Sequence, residues 1–419
     1  MLDIKFIRDN ADIIAKAIER KKAPITVETL ISLDDKRLAV LAEVESLRAQ
    51  QNEATKNMAT ASAETREDII REMKTLKAEL KEKEEELKTI TTKWQKMMLE
   101  VPNLIDVAVP DGDSDEDNLE IKTWGQKPDM SFKPADHKEL MEKLNLADFE
   151  RGVKVHGFRG YFLKNDGLSL SMALWQYALD MLRQDNFQLM LAPSLVRRPG
   201  FFGTGYLPQG EEDLYQTQDG DFLAGTSEVA VMAGHMDEVL TKDQLPLRVG
   251  AWSPCFRREA GSYGKDTKGL IRVHEFYKVE QVILCPASHE ASVAEHEALL
   301  ARAEKLMQAL QLPYRVVVNC AGDLGLGQVK KYDIEAWMPS ESKYRETHSI
   351  SYFHDWQTRR LNIKYRDEKG QLHLAHSLNG TMAATPRLLA AILENNQDES
   401  GQITVPEVLR PYIGKTLIN

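Results

Sequence analysis

Two heptad runs near the start of the chain constrain its fold more than any other feature. The first run alternates steps of three and four, is broken by Arg37 and Gln51, and places apolar residues at Leu33, Val40, Val44, Leu47, Ala54 and Met58. The second run is broken by Lys83 and passes through Ile69, Met73, Leu76, Leu80, Leu87, Ile90, Trp94, Met97 and Val101. Each run of about four repeats predicts a long helix with one apolar seam.

Small and polar residues separate the two runs, at positions 59–68. A seam, a polar tip and a second seam predict an antiparallel helical hairpin. The hairpin is an arm of roughly 45 Å, because about 30 residues each rise about 1.5 Å. Residues 1–24 predict a short helical segment closed by Pro24, and Pro102 ends the second long helix because proline cannot continue it.

The heptads alone do not identify what the arm binds. They suit a dimerising or spacing coiled coil as well as an arm that grips a ligand. Basic and acidic residues are in near balance at the exposed positions. One face carries Lys74, Lys77, Lys81 and Lys88, which suits either contact with phosphate or simple solvation.

The length and the net charge of the chain limit its possible domain organisation and partners. A chain of 419 residues predicts two or three domains. The net charge of -11 argues against a nucleic-acid partner only if it is evenly spread. Residues 111–117, DGDSDED, carry much of the acidic excess in a predicted solvated linker. We therefore expect a helical domain over residues 1–110 and a second domain over residues 111–419.

The cysteines and the N-terminus exclude several classes of protein. Cys255, Cys285 and Cys320 are far apart and form no CxxC pair, so a disulfide framework or a zinc site is not expected. The N-terminus has no apolar stretch of signal-peptide length, and no apolar run approaches the roughly 18 residues of a membrane span. These features predict a cytoplasmic protein without a membrane partner.

The second part of the chain predicts one mixed domain of class α+β. Its strand candidates do not alternate strictly with helices, which indicates an antiparallel sheet with flanking helices rather than a doubly wound parallel sheet. The predicted helices are residues 168–182, 287–310 and 388–393, and the predicted strands are residues 187–193, 247–253, 278–285, 314–319, 333–338 and 361–365. Neither GxGxxG after a strand nor GxxxxGK[ST] occurs, so the two common nucleotide-binding loops are not predicted.

The densest cluster of functional residue types is Pro254 to Glu280, which predicts two strands joined by a polar, basic loop. Phosphate transfer to a carboxylate needs a fixed guanidinium, and adenine needs a flat face. Glu346 and Ser349 offer two oxygen ligands for magnesium, and Pro386 predicts a helix start that holds Arg387. Taken singly, each of these residues also suits a surface ion pair or a buried polar group.

Read together, these segments resemble the bacterial seryl-tRNA synthetases. FRREAGSYGKDTKGLIRVHEFYKVE, at residues 256–280, resembles the second signature motif of that family. The TSE segment at Thr226, LNG ahead of Arg387, VPNL after the hairpin, and the C-terminal QITVPEVLRPYIG also resemble it. The resemblance covers essentially the whole chain, and it implies a class II synthetase domain behind a tRNA-binding arm.

The resemblance implies a function and a set of site residues. It implies ATP-dependent activation of L-serine and its transfer to serine tRNA, with selenocysteine tRNA as a further candidate. The implied catalytic residues are Arg257, Glu259 and Arg387. The implied ATP-binding residues are Arg257, Arg258, Glu259, Val273, His274, Glu275, Phe276, Glu346, Thr347, His348, Ser349 and Arg387. The implied serine-binding residues are Thr226, Ser227, Glu228, Arg257, Glu280 and Thr381.

The same resemblance implies cofactors and partners. Magnesium is expected at Glu346 and Ser349, and no zinc is expected. The arm is expected to grip the long variable arm of serine tRNA across a homodimer that residues 168–193, similar to the first motif, help to build. The chain departs from the family at Tyr352, Thr381, Met382 and Pro386, so we expect the wall near Thr381 to be reshaped.

Two other functions fit parts of this sequence. A ligase that charges a carrier protein would share the catalytic core. Such relatives lack the long arm and place zinc-binding cysteines in the pocket, and this chain has the opposite combination. A non-catalytic paralogue would keep the fold, but it would be expected to lose the charged motif residues that persist here.

Overall fold

A computed structural model describes residues 2–60, 62–261, 264, 266 and 268–419. Four residues of the predicted basic loop, Ser262, Tyr263, Lys265 and Thr267, lie outside the described residues. The chain forms two compact units, residues 1–102 and residues 103–419. Among the described residues, no helix is both long and apolar enough to cross a bilayer.

The N-terminal unit is a helical hairpin preceded by two short helices. Its helices are α1 Ile4–Asp9, α2 Ala11–Arg20, α3 Val27–Thr60 and α4 Ala63–Glu100. The predicted hairpin is confirmed, but the predicted polar tip at residues 59–68 is too long. Helix α3 continues to Thr60, and α4 begins directly after its N-cap Ser62, whose side chain accepts from the Thr65 amide. A serine cap restarts the helix earlier than composition alone predicts.

The predicted seams form the contact between α3 and α4. Val40, Val44, Leu76 and Leu80 are buried along it. Arg37, a polar interruption of the first seam, lies over the Trp94 ring with its guanidinium carbon 4.6 Å from the ring centre. The guanidinium also donates two hydrogen bonds to the buried Asp34, and the seam tolerates this arginine because its charge is compensated while it packs on an aromatic ring.

The second unit is built on an antiparallel-dominated sheet flanked by helices, which confirms the predicted α+β class. In the described chain the main sheet has the strand order β1-β11-β12-β13-β16-β10-β9-β4, with only β4 and β9 parallel. Its strands are β1 Leu119–Trp124, β4 Gln188–Leu191, β9 Leu247–Phe256, β10 Glu275–Cys285, β11 Tyr314–Val318, β12 Lys330–Met338, β13 Lys343–His354 and β16 His376–Ala384.

Smaller strands and the helices complete this unit. The remaining strands are β2 Ala147–Asp148, β3 Phe162–Leu163, β5 Leu195–Val196, β6 Tyr215–Gln216, β7 Phe222–Leu223, β8 Val239–Thr241, β14 Lys364–Arg366, β15 Leu372–Leu374, β17 Ile403–Thr404 and β18 Leu417–Ile418. The helices are α5 His137–Lys143, α6 Phe149–His156, α7 Asn165–Gln184, α8 Arg198–Thr204, α9 Ser227–Gly234, α10 His289–Ala309, α11 Trp356–Leu361, α12 Arg387–Asn395 and α13 Arg410–Ile413. The predicted strand at residues 361–365 is shorter than expected, because Leu361 ends α11.

The predicted linker at residues 111–117 folds with the second unit. Asp115–Asp117 form a turn of 3-10 helix, and the Asp113 amide donates to Asp117 Oδ2 at 2.8 Å. The Gly322 amide donates to the Gly112 carbonyl at 3.0 Å. The acidic stretch is therefore ordered by local hydrogen bonds rather than left as a solvated chain.

Alternation along β10 gives the main sheet two different faces. Gln281 and Cys285 face α10, because Gln281 donates to the Leu299 carbonyl and Cys285 contacts Ser292. Phe276, Lys278 and Glu280 point to the opposite face, since side chains alternate along a strand. The main apolar core lies largely on the α10 face, whereas the opposite face carries the polar Lys278 and Glu280 next to a smaller apolar cluster that includes Val282 and Leu284.

Candidate active site

A cavity of about 380 Å³ lies on the face of the sheet opposite α10. Strands β10, β13 and β16 form its base, and it is also lined by the ends of α8, α9 and α12. Its lining includes Tyr206, Thr226, Glu228, Arg257, Glu259, Val273, Phe276, Lys278, Glu280, Glu346, Thr347, Ser349, Asn379, Thr381 and Arg387.

Two β-bulges determine which side chains reach this cavity. In β13, Glu346 pairs with Glu335 and His348 pairs with Ile334, so Thr347 is the extra residue. The bulge puts Glu346 and Ser349, three residues apart, on one face, although strict alternation would separate them. In β16, Thr381 pairs with Glu280 and Ala383 with Val279, so Met382 is the extra residue of the second bulge.

The floor of the cavity contains a buried ion pair. Lys278 Nζ lies 2.5 Å from Glu280 Oε2 and donates to Thr226 Oγ1 at 2.8 Å. The Thr381 hydroxyl donates to the same Glu280 oxygen at 3.4 Å. Lys278 and Glu280 are 5% and 2% exposed, so each charge depends on the other for compensation.

A second carboxylate, Glu228, lies in the first turn of α9, whose N-cap is Thr226. Gln357 Nε2 donates to Glu228 Oε1 at 2.6 Å, and the Tyr206 hydroxyl donates to Oε2 at 3.3 Å. Burial raises the pKa of Glu228 to about 7, and the charge of Glu280 adds to this, while the bond from Gln357 acts in the opposite direction. A cation that enters the cavity would therefore meet a carboxylate that lacks a full counter-charge.

Arg257 enters the cavity directly after β9. Its amide donates to the His274 carbonyl at 2.9 Å, which continues the pairing of β9 with β10 by one step. Its guanidinium carbon lies 5.3 Å from the Phe276 ring centre, and Nη2 donates to the Gly225 carbonyl at 3.5 Å. The stacked guanidinium keeps donors for an anionic ligand.

Glu259 and Arg272 form the rim above Arg257. Arg272 Nη1 donates to Glu259 Oε2 at 2.5 Å, and Glu259 has a positive φ of 55°. The left-handed backbone turns the chain out of β9 at this point. The Glu259–Arg272 ion pair therefore links the segment that follows β9 to the segment that precedes β10.

Arg387 lies at the mouth of α12 and contacts Glu346. Its Nη1 donates to the Glu346 carbonyl at 2.8 Å and to Oε2 at 3.2 Å, and its Nε donates to the Ile271 carbonyl at 3.0 Å. Although burial acts to raise the pKa of Glu346, the charges of Arg387 and Lys331 hold that pKa below its ordinary value. Glu346 is therefore ionised at neutral pH.

Most of the sequence-predicted site residues meet in this cavity. Those that line it are Arg257, Glu259, Val273, Phe276, Glu346, Thr347, Ser349, Arg387, Thr226, Glu228, Glu280 and Thr381. Of the remainder, Arg258 donates to the Glu212 carbonyl at 3.0 Å, and the Ser227 hydroxyl pairs with Ser253 at 2.8 Å. The side chains of these two residues are therefore engaged outside the cavity.

The other three predicted residues also lie outside the lining. His274 stacks against His156 with ring centres 5.6 Å apart, and Glu275 begins β10. His348 is buried, and its Nε2 lies 3.2 Å from the Met382 carbonyl. Burial lowers the pKa of His348 to about 4, which keeps it neutral. Strand alternation after the bulge sends this side chain into the core.

The four residues that depart from the family pattern also divide into two that lie outside the cavity lining and two that belong to it. Tyr352 is buried and its hydroxyl donates to Asp106 Oδ2, while Met382 is buried in the main core. Neither lines the cavity, so neither reshapes its wall directly. Thr381 and Pro386 do line it.

The sequence reasoning missed many residues of the cavity lining, and three of them carry polar groups next to the buried carboxylates. These three are Tyr206, Lys278 and Asn379. Lys278 had a usable signal, since it lies two residues before Glu280 on a predicted strand and therefore shares its face. Tyr206 lies in a loop after α8, and no local pattern in the sequence indicates its contact with Glu228.

The donor set at Glu346 and Ser349 fits a hard divalent cation. A carboxylate and a hydroxyl oxygen lie on one face of β13, as magnesium prefers. Asp333 pairs with Ser349 in the sheet and has a buried oxygen, Oδ1, without a hydrogen-bond partner. The set fits a magnesium ion that takes its remaining oxygen ligands from water or from a bound molecule.

Two family models match the chain. The model described as "Seryl-tRNA synthetase N-terminal domain" matches residues 1–105. The model described as "tRNA synthetase class II core domain (G, H, P, S and T)" matches residues 215–396, which include most of the cavity. The matches agree with the helical unit and the sheet unit described above.

Individual relatives extend the match to the whole chain. A serine–tRNA ligase from Deinococcus radiodurans is 45% identical over 99% of this chain and 98% of its own. The crystal structure of a Pyrococcus horikoshii seryl-tRNA synthetase complexed with ATP is 36% identical, covers 100% and 99% of the two chains, and has a TM-score of 0.91. A Naegleria fowleri cytoplasmic serine–tRNA ligase in complex with AMP is 32% identical, covers 100% and 99%, and has a TM-score of 0.87.

Proposed function

Because this chain belongs to the seryl-tRNA synthetase family, we propose that its cavity binds serine and ATP, joins them as seryl-adenylate, and passes serine to tRNA. One observation carries the proposal. The stacked guanidinium of Arg257 and the two buried carboxylates Glu228 and Glu280 line the same cavity. A cation site beside an anion site is what an amino acid and a nucleotide phosphate need together.

The charges of the side chains at the floor of the cavity complement those of serine. Glu228 and Glu280 contribute two negative charges and Lys278 one positive charge, so the ionised floor has one negative charge to compensate. The serine ammonium supplies that compensation. Thr226, which accepts from Lys278, and Thr381, which donates to Glu280, offer hydroxyls for the serine hydroxyl.

ATP fits the rim. Phe276 and Val273 offer an apolar and aromatic face for adenine, and Arg387, which also lines the cavity, is assigned to the same nucleotide. Arg257 is assigned to the α-phosphate, where charge develops during transfer. Glu259, held by Arg272, is assigned to the same nucleotide. Glu346 and Ser349 are assigned to magnesium, which when bound neutralises phosphate charge.

The chemistry needs no protein nucleophile. The serine carboxylate oxygen attacks the α-phosphorus, the bond from that phosphorus to the bridging oxygen breaks, and pyrophosphate leaves with the electron pair. A ribose hydroxyl at the tRNA end then attacks the seryl carbonyl, the bond from that carbon to the phosphate oxygen breaks, AMP leaves with the electron pair, and the hydroxyl proton is released to solvent. Arg257 stabilises the charge on the transferring phosphate, and the floor positions the carboxylate.

Selection of serine over alanine follows from the polar floor. Alanine would leave the hydrogen-bonding groups of Thr381 and Glu280 without a ligand partner, which a buried site penalises strongly. Threonine has to be rejected by shape, because its extra methyl group adds little that a polar group can detect.

We assign residues 1–110 to a tRNA-binding domain, in which the helical arm contacts the tRNA. Residues 111–419 are assigned to a catalytic domain. Lys74, Lys77, Lys81 and Lys88 are all exposed on α4, and their spacing places them on one face. This face supplies positive charge for phosphates of the long variable arm of serine tRNA. The same surface would receive selenocysteine tRNA. The enzyme is assigned to the cytoplasm.

Reversing the charge of these four lysines to glutamate tests the assignment of the arm. The KM for tRNA should rise roughly ten- to a hundredfold, because repulsion replaces attraction to phosphate, and its salt dependence should become shallower. Serine-dependent ATP–pyrophosphate exchange should be unchanged, since the cavity lies wholly in the other unit. Unaltered serylation kinetics would remove this face from the tRNA site.

A second copy of this chain is the proposed occupant of an exposed apolar surface. Leu168 and Met172 lie one turn apart on α7 and are 44% and 57% exposed. Phe162 and Leu191 add 45% and 68% exposed side chains from the same region of the sequence. A surface of this composition is typical of a subunit interface.

Met172→Arg should shift the protein from dimer to monomer in sedimentation, because it places a charge in the buried centre of the proposed interface. Val239→Arg is the matched control, since Val239 is 51% exposed on β8, outside this surface. An unchanged dimer in the first variant would place the subunit interface elsewhere.

A further inference from the structure

The side chain of Gln357, on α11, contacts the cavity residue Glu228 but does not itself line the cavity. Its Nε2 donates to Glu228 Oε1 at 2.6 Å and to the Thr204 carbonyl at 3.3 Å. Its Oε1 accepts from the Ser377 hydroxyl at 2.7 Å. Gln357 and Ser377 are each 1% exposed, so these contacts are made without solvent.

The chemistry of the neighbouring groups fixes the direction of this amide. An ionised carboxylate only accepts hydrogen bonds, so the amide nitrogen has to face Glu228. The amide oxygen then has to face Ser377, which can donate. The result is a buried chain of hydrogen bonds from β16 through α11 to the first turn of α9.

We propose that Gln357 is the positioning residue for Glu228. Its amide holds the carboxylate in the orientation, and in the ionised form, that receives the serine ammonium. Ser377 supports the amide from behind. This inference rests on the proposed role of Glu228 in binding serine, and it adds a residue that touches neither serine nor ATP.

The groups around Glu228 explain why such a residue matters. Lys278 and Glu280 face it from β10, Asn379 from β16 and Tyr206 from the loop after α8. Burial raises the pKa of Glu228, and Glu280 adds to that, whereas the hydrogen bond from Gln357 is the largest effect in the opposite direction. Loss of the Gln357 donor therefore raises this pKa further, and the protonated form does not attract an ammonium.

The test is the pH profile of kcat/KM for serine in the ATP–pyrophosphate exchange of the full-length enzyme. Gln357→Met keeps the length of the side chain and removes its three hydrogen bonds, to Glu228, to the Thr204 carbonyl and from Ser377. We expect the acidic limb of the profile to move to higher pH, because Glu228 has to be ionised to bind the ammonium. At fixed pH the KM for serine should rise roughly ten- to a hundredfold, while the KM for ATP stays constant.

Three further variants make the result interpretable. Ser377→Ala should move the limb in the same direction by less, and it keeps the test open if Gln357→Met does not fold. Gln281→Met is the matched control, because this buried glutamine faces α10, and it should leave the limb in place. Glu228→Gln should raise the KM for serine whatever Gln357 does.

The possible outcomes separate the two claims. If Glu228→Gln leaves the KM for serine unchanged, the proposed role of Glu228 is wrong. If Glu228→Gln has its effect but Gln357→Met only scales activity at every pH, or raises both KM values alike, Gln357 is structural and the inference is overturned.

Discussion

Arg257→Ala should lower serine-dependent ATP–pyrophosphate exchange by about two to three orders of magnitude, the loss typical when one fixed donor to a transition-state charge is removed. The loss should appear mainly in kcat, because the guanidinium acts most strongly on charge that develops at the α-phosphate. The Phe276 ring would also lose its stacked cation, so some rise in the KM for ATP should accompany it.

The matched control for this variant is Arg302→Ala. Arg302 is an equally large cation that pairs with Asp185 and lies over Phe187, outside the cavity lining. Arg302→Ala should lower the free energy of unfolding, and it should have little effect on the rate of ATP–pyrophosphate exchange. Equal losses in the two variants would contradict the assignment of Arg257 to the reacting phosphate and would indicate a general effect of removing an arginine.

Lys278→Met should destabilise the folded chain by about 3–5 kcal/mol, the cost typical of leaving one member of a buried ion pair alone. Among the described residues, Glu280 would then retain only the 3.4 Å bond from Thr381, while remaining 2% exposed. The KM for serine should rise as well, because two uncompensated carboxylates would take up a proton or another cation in place of the ammonium.

A double variant separates charge compensation from packing. Lys278→Met combined with Glu280→Gln removes both charges, so most of the lost stability should return, while serine binding should stay weak. Urea unfolding of the three variants and the wild type measures this coupling. If the double variant is as unstable as the sum of the two single variants, Lys278 and Glu280 do not act as a pair.

Structural elements whose sequence pattern repeats over many residues could be predicted from the sequence. The heptad seams predict α3 and α4 because every repeat adds independent evidence, and the strands on either side of the basic loop follow from their composition. The resemblance implied a set of site residues, most of which line the cavity. It located residues by position in a motif, however, and not by the direction of their side chains.

Side-chain direction depends on features that no local pattern indicates. The bulge at Thr347 brings Glu346 and Ser349 to one face and turns His348 into the core. Because a single extra residue inverts the alternation, a motif of consecutive residues contains both cavity and core positions. Gln357 could not be predicted either, since its contact with Glu228 joins residues 129 positions apart.

Amino-acid-dependent ATP–pyrophosphate exchange by the wild-type chain tests the central claim most directly. The assay compares serine with threonine, alanine and glycine at equal concentrations. We expect exchange with serine far above the other three amino acids, because the cavity floor of Glu228, Glu280, Lys278 and Thr381 has one negative charge for an ammonium and hydrogen-bonding groups for the serine hydroxyl. Exchange that is equal or greater with another of these amino acids, or absent with all four, would contradict it.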